Sequence, residues 1–327
     1  MRNFSYVRAT STAEAAQAAQ QAGAMLLAGG TTLLDLAKCG VTEPETVIDI
    51  THLSGMGDIT IEAAGATIGA LARMSEVADH QDVRAAFPAV SESLSLAASA
   101  QLRNMATIGG NLLQRTRCAY FRDPGAFPAC NKRSPGSGCS AIGGVTRNHA
   151  VLGTSEACIA SYPGDLAVAL VAFDAAVETN SRKIAIEDFF LIPGNTPNKE
   201  TVLQPGEIIT AVTIPVSASA RNSTYIKVRD RQSYEFAAAG AAVGLELEAD
   251  GRTVRDIRIA LGGVATKPWR ARDVEQALVG KGLSAELVEK ASRLAMEGAV
   301  SHGGNRYKIE LAPRVVARAI LKMGGLA

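Results

Sequence analysis

Residues 98–165, ASAQLRNMATIGGNLLQRTRCAYFRDPGAFPACNKRSPGSGCSAIGGVTRNHAVLGTSEACIASYPGD, hold four of the chain's five cysteines between two glycine-bearing segments. The stretch opens on small residues, passes through Thr107-Ile108-Gly109-Gly110-Asn111-Leu112 and closes on Ser161-Tyr162-Pro163-Gly164-Asp165. Cys118, Cys130, Cys139 and Cys158 have 11, 8 and 18 residues between successive members, mostly Gly, Pro, Ser, Asn, Arg and Lys. With no apolar period to order it, this segment reads as a long loop that needs a staple. Four thiols there are compatible with a 4Fe-4S cluster, a zinc ion, two disulfides or unpaired buried thiols. Compact ferredoxin signatures set their cysteines closer together, and the C-x₂₋₄-C pairs usual for zinc are absent. Lys132 and Arg133 either raise the potential of an anionic cluster or solvate the loop. Cys39, remote from the others at a helix end, reads as a small buried hydrophobe.

Upstream, Met25-Leu26-Leu27-Ala28 is a strand running into Gly29-Gly30-Thr31-Thr32 and then a helix, Leu33 to Lys38. Paired glycines let backbone N–H groups converge, so this junction suits an anion. A tight strand-to-helix turn explains it equally well when it stands alone. The second glycine pair, Gly109-Gly110 with Thr107 before it, changes that balance. Two such segments and a later Asp165 are the parts needed for a dinucleotide: N–H groups for pyrophosphate, Thr31, Thr32 and Thr107 as hydroxyl donors, a carboxylate for a sugar or ribityl hydroxyl. Neither G-x-G-x-x-G at a strand-helix junction nor G-x-x-x-x-G-K-[ST] is present, which argues against Rossmann and P-loop readings.

The rest of the chain reads as an α+β protein. Phe4–Arg8, Thr46–Ile50, two segments of Ile59–Ile68 broken at Gly65, the hairpin Ala175–Thr179 with Lys183–Ile186, and Ile208–Ile214 are strands. Ser11 caps an Ala-rich helix that Gly23 ends, and Leu71–Ala78 and Pro88–Ala100 are helical. Pro215 to Asn222 reads as a small polar linker. Beyond it, Thr224–Arg229, Ala237–Leu247 and Thr253–Leu261 form an antiparallel sheet, with the amphipathic helices Ala285–Gly298 and Leu311–Lys322 on one face.

Composition removes several functions. The chain has 327 residues, 47% hydrophobic, enough for two or three domains with a large core. Net charge is +1, from 33 basic and 32 acidic side chains, so nothing recommends nucleic acid or an anionic membrane as a partner. No apolar run reaches the length of a bilayer span, and no secretory leader is visible at Met1 onward. The four histidines, His52, His80, His149 and His302, share no ligand spacing and read as structural or exposed, and no nucleophile sits beside a base. Hydrolytic chemistry has no visible parts.

Four segments together carry a family resemblance: LLAGGTTLLDLAK, QLRNMATIGGNL, YPGDLAVAL and KVRDRQSYEFA. The chain resembles the flavin-binding medium subunit of the molybdenum hydroxylase (xanthine dehydrogenase) family over its whole length. Its cysteine loop looks like that of the FAD and iron-sulfur subunit of bacterial periplasmic aldehyde oxidoreductase, and more loosely that of hydroxybenzoyl-CoA reductase. The resemblance implies a two-subdomain FAD-binding domain of the vanillyl-alcohol-oxidase type over residues 1–216, with a boundary near 55–58 and a cluster loop at 114–160. A C-terminal domain of the family's flavoprotein type would follow at 223–327. It implies FAD contacts at Met25, Leu26, Leu27, Ala28, Gly29, Gly30, Thr31, Thr32 and Leu33, then at Thr107, Gly109, Gly110, Asn111 and Leu113, then at Gly164 and Asp165, with Ile209 and Lys227 at the isoalloxazine end. Cys118, Cys130, Cys139 and Cys158 would ligate a 4Fe-4S cluster. Where members often carry Asp or Asn after Gly-Gly-Thr, this chain has Thr32. No residue of this chain would do substrate chemistry.

The implied function is electron transfer. A partner subunit with the molybdenum cofactor would oxidise aldehydes to carboxylic acids, 2Fe-2S clusters in a small subunit would relay electrons, and FAD here would pass them to an external acceptor. A related hydroxylase acting on N-heterocycles or aromatic acyl-CoA, a stand-alone flavin oxidoreductase and a non-catalytic assembly subunit are the competing readings. Taken alone the chain is cytoplasmic, while the resemblance implies a periplasmic complex exported on a partner's signal.

Overall fold

The computed structural model describes residues 1–326. Three sheets organise it. The first is parallel and three-stranded: Thr46–Asp49 lies between Ser5–Arg8 and Ala24–Leu27. Its connections are short helices, Thr12–Ala18 and Leu33–Lys38; Ser11 caps the former by accepting from the Glu14 N–H. The second is antiparallel, in the spatial order Ile59–Ile61, Gly65–Gly69, Ile209–Pro215, Ala176–Thr179, Lys183–Ala185. Helices Met74–Asp79, Gln81–Ala86, Pro88–Ser95 and Leu166–Ala172 pack with these two sheets into one core built around Ile48, Ile68, Phe87, Leu94, Val177 and Val212, all within 1% of full burial.

The third sheet, antiparallel, runs Trp269–Arg270, Val254–Gly262, Ala239–Leu247, Ser223–Val228. Side chains alternate along a strand, so its central strand has two faces. Ala239, Ala241, Val243 and Leu245 meet the helices Arg272–Leu278, Ala285–Ser292 and Tyr307–Met323 in a second core. Gly240, Ala242 and Gly244 turn the other way, towards the first core. A Cβ on Gly244 would stand 2.4 Å from the Ser219 carbonyl oxygen and 2.6 Å from the Phe173 ring; one on Gly262 would stand 2.7 Å from Val168. The near absence of side chains on this face lets helix Leu166–Ala172, buried along its whole length, lie against the sheet. Glu92 adds a polar tie by accepting from the Thr224 hydroxyl and the Tyr225 N–H.

Three sequence expectations change here. The second glycine pair is not a turn: Ile108–Leu112 is a short helix capped by Thr107, whose hydroxyl accepts from the Gly110 N–H at 3.3 Å. Neither Gly109 nor Gly110 has positive φ, and buried Ile108 and Leu112 hold the turn in place. Pro215–Asn222 is not an open linker, because Ser217 caps a helical turn, Ala218–Arg221, that buries Ser219 and Ala220. Cys39 is exposed: the helix Leu33–Lys38 buries Leu36 and Ala37, and Cys39 sits at its C-terminal cap on the opposite side. No helix among the described residues is long and apolar enough to cross a membrane.

The turn at Pro205-Gly206-Glu207 shows how an exposed hairpin end is fixed. The Glu207 carboxylate takes both guanidinium donors of Arg182, at 2.8 and 3.0 Å, along with the Gln204 N–H and the Thr179 hydroxyl. The Arg182 bonds foremost hold its pKa down, to about 2. A depressed carboxylate stabilises the fold fully above its unfolded pKa and ceases to do so as pH falls through the folded value. Glu207→Gln should therefore cost about 1 kcal/mol at pH 7 after solvent screening. The gap should shrink from about pH 4.3 downwards. Urea denaturation of both proteins at pH 7 and pH 3 checks this; an equal gap at both would refute it.

Candidate functional site

A cleft of about 360 Å³ opens where the parallel sheet meets the end of the five-stranded sheet. Met25, Leu26, Ala28, Gly29, Gly30, Thr31, Thr32 and Leu33 form one wall. Thr107, Gly109, Gly110 and Leu113 form the facing one, with Ile209 at the side. Leu27 is absent from this lining. Gly30 has φ +72°, the left-handed conformation that favours glycine, and turns the chain from strand to helix. The N–H groups of Gly29, Gly30, Thr31 and Thr32 have no hydrogen-bond acceptor among the described residues, and the Thr32 hydroxyl makes no cap bond. Four successive free N–H groups make a concavity for an anion. Gly29 is required by packing: a Cβ there would lie 2.0 Å from the Met105 carbonyl oxygen. The two glycine segments are thus backbone to backbone, and the second is fastened in turn by Ile108 N–H to Ala72 O and Gly109 N–H to Ala70 O.

A second lobe shares Thr31, Thr32 and Gly110 with the first and runs on past Asn111, Gln114, Pro163 and Asp165 to Arg231, Tyr234 and Phe236. Asn111 is buried and its side-chain oxygen has no partner within the protein. Asp165 is also buried; the Tyr225 hydroxyl donates to one carboxylate oxygen at 2.7 Å and the Lys227 ammonium to the other at 2.8 Å. Burial pushes the Asp165 carboxyl up, and Lys227 and Tyr225 pull it back. Lys227 itself lines neither lobe: its side chain is 1% exposed, and it also donates to the Leu96 carbonyl. A buried ammonium needs an anion more than an open cavity, so it acts on the cleft through Asp165. Gly164 supports this corner from behind, where a Cβ would strike the Tyr162 ring and Gln114. Arg229 donates to Leu96 O, whereas Arg231 lies over the Tyr234 ring and pairs with Glu235. Free N–H groups, a partnerless amide oxygen and the glycine cradle fit an elongated phosphate-bearing group such as FAD.

The cysteine loop docks on the helix that follows the first glycine turn. Phe121 buries itself against Leu36 beside Cys130 and Cys118, and Arg117 and Arg122 both pair with Asp35. Order comes from polar side chains: Arg133 donates to the carbonyls of Tyr120, Phe121 and Pro128, Asn131 bonds Gly138 and Ala157, and Ser137 takes the Cys130 N–H. Lys132 pairs with Glu200 at 2.8 Å, so neither cation merely solvates the loop. All five cysteines are free thiols here. Cys130 and Cys139 face each other across a bridge, and Cys130 and Cys118 pack in one cluster with Leu36 and Phe121. No three His, Cys, Asp or Glu side chains among the described residues close on a single metal ion. Four thiols on one fixed loop are, in number and kind, the donors that an iron-sulfur cluster uses.

Sequence reading passed over two groups beside these thiols. His149 is buried with Nε2 3.2 Å from Cys118 Sγ; burial, then Lys308, brings its pKa down to about 4. Burial raises the Cys118 thiol to about 12 and lowers Lys308 to about 8. A histidine inside the cysteine loop was a visible signal; for Lys308, on a distant helix, none existed.

Fold and cleft together define a flavoprotein of two joined domains. Residues 2–217 match the family described as the FAD binding domain in molybdopterin dehydrogenase, and residues 224–323 the CO dehydrogenase flavoprotein C-terminal domain. The chain belongs to this family of FAD-binding oxidoreductase subunits. Among curated relatives it is 44% identical to the aldehyde oxidoreductase FAD-binding subunit PaoB of Escherichia coli (strain K12), across 98% of both chains. It is 28% identical to the carbon monoxide dehydrogenase medium chain of Hydrogenophaga pseudoflava, across 97% of this chain and 96% of that one. A solved structure of carbon monoxide dehydrogenase from Hydrogenophaga pseudoflava superposes with a TM-score of 0.77 at 25% identity, covering 100% of this chain and 99% of that one.

Proposed function

We propose that this chain is the FAD-bearing electron-transfer subunit of a molybdenum-dependent aldehyde oxidoreductase, with a 4Fe-4S cluster of its own on Cys118, Cys130, Cys139 and Cys158. A partner with the molybdenum cofactor would oxidise the aldehyde, and a 2Fe-2S small subunit would deliver the electrons, giving a heterotrimer that reduces an external acceptor. Bound FAD exchanges one or two electrons, and a cluster exchanges one.

The observation that carries the reading is that the cleft and the cysteine loop share a wall. Leu113 lines the cleft and Cys118 follows five residues later, a span of at most roughly 18 Å. Leu36, also in the cleft wall, touches the loop through Phe121. In this reading the N–H groups of Gly29 to Thr32 hold the pyrophosphate, with Met25, Leu26, Ala28, Leu33, Gly109 and Gly110 around them. Thr107, Asn111 and Leu113 bind along the ribityl chain, and Ile209 packs against the cofactor. Asp165, set by Gly164 and charged by Lys227, accepts from a hydroxyl. The aldehyde class rests on the 44% identity to an aldehyde oxidoreductase subunit. Periplasmic location by co-export with a partner belongs to the same reading, and recovery of the assembled complex only from cytoplasm would overturn that part.

Anaerobic purification of the full chain should give protein with flavin, about four irons and matching acid-labile sulfide. Cys130→Ser should keep the flavin and lose most of the iron. Flavin without iron or sulfide in the wild type would reduce the loop to structure and leave an ordinary flavin subunit.

A further inference from the structure

The first turn of helix Tyr307–Met323 brings a buried positive charge to the cysteine loop. Lys308 is 1% exposed, donates to the Gly263 carbonyl at 2.5 Å, and has no carboxylate partner among the described residues. A lone buried ammonium is costly unless an anion lies nearby. Gly263 lines the same cavity as Cys118 and His149. Of the other cations at this end, Arg147 pairs with Asp230 and Lys132 with Glu200, while Arg133 is engaged by the backbone carbonyls of Tyr120, Phe121 and Pro128.

His149 is the group in direct reach of the sulfur. Its Nε2 is 3.2 Å from Cys118 Sγ, and its Nδ1 is buried without a partner. Once Cys118 gives up its proton to bind iron, the sulfur has only lone pairs, so Nε2 must carry the hydrogen and donate. The backbone that carries the imidazole is held by Asn305, which donates to the carbonyls of His149 and Ala150 at 3.5 and 2.8 Å. Asn305 precedes Lys308 by one turn, so one short segment of the C-terminal domain fixes both groups.

We propose that His149 and Lys308 are positioning residues that raise the reduction potential of a cluster on Cys118, Cys130, Cys139 and Cys158, the imidazole by hydrogen-bonding the Cys118 thiolate and the ammonium by its unmatched charge. This rests on the cluster assignment above. Reduction adds one electron to an already anionic centre, and no bond forms or breaks. Hydrogen bonds to sulfur and nearby positive charge both favour the reduced state.

Redox titration followed by electron paramagnetic resonance, with iron and sulfide assays, separates the two readings. Lys308→Met should keep its iron and sulfide while its reduction equilibrium falls about tenfold, a midpoint lower by about 59 mV. Lys308→Arg should stay at the wild-type midpoint, and His149→Phe should shift downwards as Lys308→Met does. Intact clusters with unmoved midpoints in both Lys308→Met and His149→Phe would overturn the proposal and leave the cluster assignment standing. If Lys308→Met fails to accumulate, His149→Phe decides alone. Wild-type protein without iron or sulfide would overturn both.

Discussion

Gly29→Ala protein should purify with less than about a tenth of the wild-type flavin content, read from the visible flavin bands against total protein. The added methyl would sit 2.0 Å from the Met105 carbonyl oxygen and 2.8 Å from its carbon, both backbone atoms. A side chain can rotate away from such a clash; backbone can only shift as a piece. The piece here is the segment leading to Thr107, which caps the helix carrying Gly109, Gly110 and Asn111. Relief of the clash therefore separates the two walls of the cleft. Gly30→Ala is the informative control. It adds strain at φ +72°, about 1–2 kcal/mol, but meets only the flexible ends of Leu27 and Leu34, each at 3.2 Å. It should lose stability and keep much of its flavin. Wild-type flavin content in Gly29→Ala would rule out this account of the cleft.

Lys227→Met should destabilise the protein by about 3–5 kcal/mol, because it strands the Asp165 carboxylate in a dry site with one hydroxyl for company. Domains are marginally stable, so that loss is a large part of the whole. Tyr225→Phe removes the remaining donor, at 2.7 Å, and should cost about 1–2 kcal/mol. The double variant Asp165→Asn/Lys227→Met should recover part of the loss, since no unpaired charge remains buried. Urea titrations of the wild type, Lys227→Met, Asp165→Asn and the double variant measure the coupling. A Lys227→Met protein within about 1 kcal/mol of wild type would show that water reaches Asp165 and that the pair is not the closed tie described above.

Much of the architecture could be read from local signals. The helix Leu33–Lys38 has strong formers after a glycine pair, and the Gly65 break marks the hairpin of Ile59–Ile61 with Gly65–Gly69. Other elements form because of what surrounds them. Ile108–Leu112 contains two glycines and is a helix only because Thr107 caps it and its apolar residues are buried. Leu166–Ala172 is buried all round, so it carries no 3.6-residue stripe to betray its helix. In the site, glycines, threonines, Asp165 and cysteines announce themselves by type and spacing. Lys227 shows in the sequence, but its engagement with Asp165 depends on how two domains meet. Arg133, His149 and Lys308 owe their positions to tertiary packing, and Lys308 lies 150 residues from Cys158.

The face formed by Gly240, Ala242 and Gly244 limits how this chain can be recombined. A Cβ at Gly244 would occupy space filled by Phe173 and Ser219, and one at Gly262 space filled by Val168 of helix Leu166–Ala172, while Gly240 makes room for the Tyr225 hydroxyl that reaches Asp165. A C-terminal domain borrowed from a distant relative would bring a different relief to that surface. The two halves are separable as sequence segments but not as interchangeable parts.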